Sequence, residues 1–224
     1  MKALDLLATE ENIYTTFIDD AIGRDADVFS FVSFLNSLDS GNVIALNARW
    51  GEGKTFFVKQ TKLVLEAFNP YYENIEHREE IKKTWEKLRK KQEIEIQPFV
   101  TVYYDAWMND NDEAPVLSLV LAILQEIDGL TSLENERGIL DLAGNVLDCF
   151  TGRTVKGVLD SLRGTPPLEN IKKAKDLESK IAAFFESILP ERGNRMVVFI
   201  DELDRCKPDY AIHPVSYTHL TLPT

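Results

Sequence analysis

Cysteine is nearly missing from this chain of 224 residues, which has two, Cys149 and Cys206. Neither has a spaced Cys or His partner, and histidine is almost as rare at three. A disulfide framework and a zinc site are therefore not what organises the fold, and the composition suits a reducing, cytoplasmic environment. Positive charge is scarce too, with 25 Lys and Arg against 37 Asp and Glu and a formal net charge of −12. A protein that coats nucleic acid needs clustered Lys and Arg, so no nucleic-acid partner is expected. Long apolar runs are also lacking. The longest, residues 116–124, is broken by Ser118 and falls well short of the roughly 20 residues that span a bilayer. The opening MKALDLLATEEN turns acidic before any apolar region develops, so no secretory leader is expected there. A transmembrane helix is excluded on these grounds. Peripheral membrane contact is not.

With 44% hydrophobic and 28% charged residues, the chain has the make-up of a soluble globular protein. Val28, Phe31, Val32, Leu35 and Leu38 recur at helical spacing, with Asp25 or Asp27 as the N-cap and Gly41 as the stop. The apolar run 43–46 has strand length. A helix is predicted from Gly53 to Phe68, carrying Phe57, Val64 and Phe68 on one face and ended by Asn69-Pro70. Residues 73–93 are densely charged and predict a surface helix held by Glu79/Lys83 and Glu86/Lys90 ion pairs, with a thin stripe of Ile81, Trp85 and Leu88. A second strand is predicted over 99–104 and a buried helix over 116–127. Amphipathic helices are predicted to begin near Ile139, Val155 and Ile171, the last ended by Pro190. The apolar strand 196–200 then runs into Asp201-Glu202. Strands alternating with helices call for a mainly parallel sheet covered on both faces.

Two places carry chemistry. Ala48-Arg49-Trp50-Gly51-Glu52-Gly53-Lys54-Thr55 fits a phosphate-binding loop, with Ala where the first glycine usually stands, between a predicted strand and helix. Gly51 and Gly53 let the backbone wrap phosphate oxygens, and the helix N-terminus adds its dipole. Lys54 would reach the β- and γ-phosphates and the Thr55 hydroxyl would bind Mg²⁺. The other place is the end of the last strand, where open α/β sheets bind ligands. There Asp201 would hold Mg²⁺ and Glu202 would orient the attacking water. The pair of sites predicts a Mg²⁺-dependent nucleotide hydrolase. Asp105, at a predicted strand end, either faces the nucleotide or caps the next segment. Arg24 contacts nucleotide, a neighbouring domain or a surface ion partner. Arg205 acts within the site or across a subunit contact. Trp107 is expected in the core, Cys206 in a structural role, and His77 and His213 on the surface.

Trp50-Gly51-Glu52-Gly53-Lys54-Thr55, then Tyr104-Asp105-Ala106-Trp107, then FIDELDRCKPDYA from Phe199 resemble the KAP family of P-loop NTPases. Asp20-Ala21-Ile22-Gly23-Arg24 is similar to the short box this family places before its phosphate loop. The resemblance implies a three-layer α/β P-loop NTPase fold with a helical insert over about 129–190 between the phosphate-loop strand and the Asp-Glu strand. It implies ATP as substrate, Mg²⁺ as cofactor, and nucleotide state coupled to a conformational switch, in phage defence or membrane-linked signalling. Relatives often carry membrane helices in the insert, whereas here the insert is amphipathic. A protein partner is implied without being identified, and oligomerisation stays open.

From Pro214 the string PVSYTHLTLPT resembles the conceptual translation of a sequencing adapter. Residues 1–213 are accordingly expected to be part of one P-loop NTPase domain, incomplete at its C-terminus, and 214–224 a non-native tail. A strand expected between the two site-bearing strands has no candidate after Glu202, so the fragment alone is expected to be inactive. The competing reading is a nucleotide-binding scaffold or switch with little turnover.

Overall fold

The computed structural model of the protein describes residues 7–38, 41–49, 51–89, 94–110, 118–119, 122–123, 125–126, 193 and 195–207. They divide into a first unit, Met1–Thr101 with Gly193–Phe199, and a second, Val102–Arg192 with Ile200–Thr224.

Four helices build most of the first unit: α1 (Glu10–Ile18), α2 (Asp25–Ser37), α3 (Lys54–Phe68) and α4 (Arg78–Arg89). α3 packs against the other three. α1 is an element that the apolar spacing does not announce, because it buries only Ile13, Thr16 and Phe17. It starts where Thr9 accepts the Asn12 N–H at 3.3 Å, with Glu10 and Glu11 at the positive end of the helix dipole. The buried Gln60 of α3 donates to Thr16 Oγ1 at 3.1 Å and fixes the contact.

α2 buries Val28, Val32 and Leu35 as their spacing predicts, but both ends differ from expectation. Arg24 holds the cap position without a side-chain cap bond, so neither Asp25 nor Asp27 is the N-cap. Asp25 is instead the first helical residue and is buried. The helix stops at Ser37, ahead of Gly41, because Leu38 is already extended. α3 matches its predicted bounds to within a residue. Its buried face is Val58, Thr61, Val64 and Leu65, while Phe57 and Phe68 are half-buried at the edges, against Phe31 and Trp85.

α4 is the expected surface helix, with Glu79, Glu80, Lys83, Glu86 and Lys87 exposed and the apolar stripe turned inward. Ile81, Thr84 and Trp85 are buried, and the Trp85 ring meets Phe29 at 4.6 Å and Phe68 at 5.8 Å. Among the described residues its close ion pairs are Lys82–Glu79 and Arg89–Glu86, at i, i+3, while Lys90 of the expected Glu86/Lys90 pair lies outside the described residues. Exposed pairs contribute about 0–1 kcal/mol, whereas burying one large apolar side chain contributes about 1.5–3 kcal/mol. The stripe, not the charges, holds α4.

Residues 43–46 form no strand, and Val43 is 60% and Leu46 40% exposed. The composition is that of a buried strand, but a strand persists only where a neighbour takes its backbone hydrogen bonds. No described strand pairs with it.

β1 (Phe99–Asp105) and β2 (Arg195–Asp201) form the two-stranded sheet and run from the first unit into the second. At one end Gly193 lies so close to Pro98 that a Cβ would stand 2.7 Å from its carbonyl oxygen. At the other, the Ala106 N–H donates to the Asp201 carbonyl at 3.0 Å. Contacts in that order make the strands parallel, as predicted, and parallel strands need a long crossover. A buried polar network anchors the C-terminal part of α3 to β1. Thr101 Oγ1 donates to Glu66 at 2.8 Å, Thr101 N–H donates to the Tyr72 hydroxyl at 3.0 Å, and Asn69 Nδ2 donates to the Phe99 carbonyl at 2.7 Å.

In the second unit Tyr104 and Ala106 are buried against Leu119, Ala122, Ile200, Leu203 and Cys206. The helix predicted over 116–127 is present at 118–119, 122–123 and 125–126. The insert of 129–190 with its predicted helices, Cys149, His213 and the tail from Pro214 lie outside the described residues. Among the described residues no helix is long and apolar enough to cross a membrane.

Candidate functional site

The loop that leads into α3 is shaped by two glycines. Gly51 and Gly53 have φ of +81° and +76°, in the left-handed region that other residues enter at a cost of roughly 1 kcal/mol. No atom lies within 4 Å of where a Cβ would sit on either, so backbone conformation, not space, demands glycine here. The Glu52 N–H donates to the Arg49 carbonyl at 3.2 Å, and the Glu52 carboxylate accepts the Arg49 N–H at 2.9 Å, closing the turn from both sides. α3 then begins with the Phe57 N–H donating to the Gly53 carbonyl at 3.0 Å. Lys54 folds back over the loop and its Nζ donates to the Ala48 carbonyl at 3.1 Å. Trp50 lies outside the described residues.

The first N–H groups of a helix have no intrahelical partner and carry the positive end of its dipole. A 15-residue helix behind a left-handed glycine turn, with an ammonium group laid across it, has the make-up from which anion cradles are built. Lys54 and Thr55 stand half-exposed at the start of the helix.

Arg24 joins this loop in a way the sequence reading missed. Its guanidinium donates to the Glu52 carbonyl, so it braces the loop rather than meeting a carboxylate on the surface. The turn before it makes this reach possible. Asp20 and Gly23 both have positive φ, the Gly23 N–H donates to the Asp20 carbonyl at 3.0 Å, and the Asp25 N–H donates to Asp20 Oδ1 at 3.3 Å. Burial, and then the neighbouring Asp20 charge, push the Asp25 carboxyl up to about 7.

The second group of predicted residues sits at the end of β2. Asp201 is 9% exposed and both carboxylate oxygens are held. Oδ1 accepts the Glu202 N–H at 2.9 Å, and Oδ2 accepts the Tyr103 hydroxyl of β1 at 3.0 Å. Burial, followed by the Asp201 charge, holds the Tyr103 hydroxyl well above the usual phenol range. Tyr103 was not singled out from the sequence. The signal was there: strand alternation puts it on the same face of β1 as Asp105, one pleat before the strand end.

Glu202 has left-handed φ of +57° and opens a 3-10 turn, Leu203–Arg205. A non-glycine residue held there costs on the order of 1 kcal/mol. Its carboxylate pairs with Arg205 at 2.5 Å, and that guanidinium lies over the Trp107 ring at 5.4 Å. Burial raises the Glu202 carboxyl above its ordinary value, Arg205 opposes the rise, and Asp201, Asp204 and Asp105 add to it. Arg205 is thus paired with Glu202 inside its own unit. Asp105 takes the capping role: its Oδ1 accepts the Met108 N–H at 3.0 Å and its carbonyl accepts Asn109 Nδ2 at 2.7 Å. Trp107 is not core, being 50% exposed, because the turn after β1 carries it outward onto Arg205. Cys206 packs beside Tyr104 and Ala106, and burial pushes its thiol up. His77 is half-exposed and stacks on Tyr14 at 4.2 Å.

Ala48, Arg49, Gly51, Glu52, Gly53, Lys54, Thr55 and Arg24 thus belong to the first unit, and Asp105, Asp201, Glu202 and Arg205 to the second. No curated protein and no solved structure matches the chain. A family model described as the KAP family P-loop domain matches residues 29–222. That match takes in the glycine turn before α3 and the acidic end of β2, in an α/β chain with a parallel strand pair. The chain belongs to the KAP family of P-loop NTPases, and this membership points to nucleotide binding.

Proposed function

We propose that the protein binds and hydrolyses ATP in a Mg²⁺-dependent reaction and couples nucleotide state to a conformational switch. The observation that carries this reading is the cradle at α3, where Gly51 and Gly53 take left-handed φ and Lys54 folds across the loop. The backbone of Ala48 to Thr55 would enclose the phosphates, and Lys54 would offset charge on the terminal ones. Thr55 and Asp201 would hold Mg²⁺. Both offer hard oxygen donors, the chemistry this ion prefers, and the Asp201 carboxylate is already oriented by two hydrogen bonds. Bound Mg²⁺ would supply further neutralisation of phosphate charge.

Glu202 would orient a water for in-line attack on the γ-phosphorus and receive its proton as the bond to the β,γ-bridging oxygen breaks. For that, Glu202 must leave Arg205, and the pair at 2.5 Å favours a slow, gated turnover. The same pair is the observation behind a second reading, a nucleotide-dependent scaffold or switch that turns over little. A three-layer fold with the helical insert between the phosphate loop and β2 belongs to this proposal, as do a cytoplasmic location and a protein partner that reads the switch.

Lys54→Ala tests the core of the reading. It should abolish Mg-ATP binding in calorimetry, because the charge on the terminal phosphates is lost. A variant that binds ATP as tightly as wild type would place the nucleotide elsewhere. Steady-state phosphate release from the full-length protein then separates a hydrolase from a switch.

A further inference from the structure

The Asp201 side chain is fixed by a residue of the neighbouring strand. Tyr103 lies on β1, three residues before Ala106, whose N–H takes the Asp201 carbonyl at 3.0 Å. The Tyr103 hydroxyl takes Asp201 Oδ2 at 3.0 Å. β1 and the residue that follows it therefore grip Asp201 twice, by side chain and by backbone, while Oδ1 is held by the next N–H in the chain. With both oxygens engaged, the plane of the carboxylate is set before any ligand arrives. Each carboxylate oxygen accepts more than one bond, so neither contact exhausts the group.

We propose that Tyr103 is a positioning residue for the metal-binding carboxylate, holding Asp201 in the rotamer that receives Mg²⁺. This rests on the reading of Asp201 as a Mg²⁺ residue. Outer partners that orient a ligating carboxylate typically account for 10–100-fold in metal affinity, and Tyr103→Phe removes this one while keeping the ring. Its neighbours on the strand, Thr101 and Asp105, have other partners in Glu66, Tyr72 and the Met108 N–H, so the substitution leaves those contacts in place.

The test is a Mn²⁺ titration of the full chain with ATP present, followed by electron paramagnetic resonance. Tyr103→Phe should raise the Mn²⁺ concentration at half-saturation about 10-fold, while ATP affinity in chelator and the metal-free thermal midpoint stay at wild-type values. A purely structural tyrosine would lower the midpoint and leave the metal titration alone, and that result overturns the proposal. Asp201→Asn is the reference. If it loses the metal and Tyr103→Phe does not, the positioning role is wrong while the Asp201 reading stands. If Asp201→Asn binds Mn²⁺ like wild type, the Asp201 reading fails and the role of Tyr103 goes with it. In the Asp201→Asn background, Tyr103→Phe should change nothing further, because its effect passes through that carboxylate.

Discussion

Asp25→Asn should make the protein more stable, and more so as pH rises. Asp25 opens α2, where the helix dipole favours a carboxylate by roughly 0.3–1 kcal/mol. It is nevertheless only 3% exposed, its Oδ1 has no hydrogen-bond partner, and the Asp20 carboxylate stands beside it. Burial first and Asp20 second raise its carboxyl from 3.8 to about 7. At about 1.4 kcal/mol per unit, a rise of about 3 units outweighs the dipole and is worth up to about 4 kcal/mol. The unfolded chain releases this proton near pH 4 and the folded chain near pH 7. Stability is therefore complete below the unfolded value and falls as pH rises through that window. Asparagine does not titrate, so the variant escapes the loss. Allowing for the lost dipole term and an amide that must find its own partners, the gain near pH 8 should be about 1–3 kcal/mol, or roughly 3–10 °C in thermal midpoint. Near pH 4 the two proteins should be nearly equal. Thermal or urea unfolding at both pH values decides it. An equal gain at both, or a variant less stable near pH 8, would refute the reasoning.

Glu202→Gln should keep ATP affinity and slow phosphate release by roughly 10²-fold or more, the scale for losing a positioned base; wild-type turnover would mean that water is activated elsewhere. Arg24→Ala removes a charged donor from the Glu52 carbonyl, and with about 1–2 kcal/mol of loop bracing gone, ATP should bind roughly 5–30-fold more weakly by calorimetry. Unchanged affinity would show that the loop holds its shape unaided. Trp85→Ala should cost about 3–5 kcal/mol in urea unfolding, since the ring is fully buried against Phe29 and Phe68; a cost under about 1 kcal/mol would show that the apolar stripe does not hold α4.

Local pattern carried far into the fold where one physical cause dominated. α3 was legible because left-handed glycines before it and Asn69-Pro70 after it are local, and β1 and β2 because runs of β-branched and aromatic residues end in acidic turns. α4 was legible as a charged surface helix with a thin buried stripe. Its mean composition is strongly polar, yet two adjacent turns place Ile81 and Trp85 on one line, and two large side chains suffice to bury a helix face. α1 has too few apolar positions to register, since part of its buried face is Thr16, satisfied by Gln60 from a helix more than forty residues on. Residues 43–46 fail in the opposite direction. Their composition specifies a strand, but composition cannot supply the partner that a strand requires.

The same division runs through the candidate site, and it sorts residues by the range of the contact that defines them. Gly51, Gly53 and Lys54 were legible because a left-handed turn, a helix start and a lysine reaching back six residues are all written within one loop. Glu202 and Arg205 stand three apart, so their pairing is also local, although only the 3-10 turn brings the charges together. Arg24 reaches Glu52 across 28 positions and Tyr103 reaches Asp201 across 98. No periodicity links such positions. What the sequence does hold is an arginine after a glycine turn and a tyrosine on the acidic face of a strand, each with a reach set by its own side chain. The residues that bear the chemistry are thus read from short motifs, whereas those that hold them in place appear only when the chain has folded.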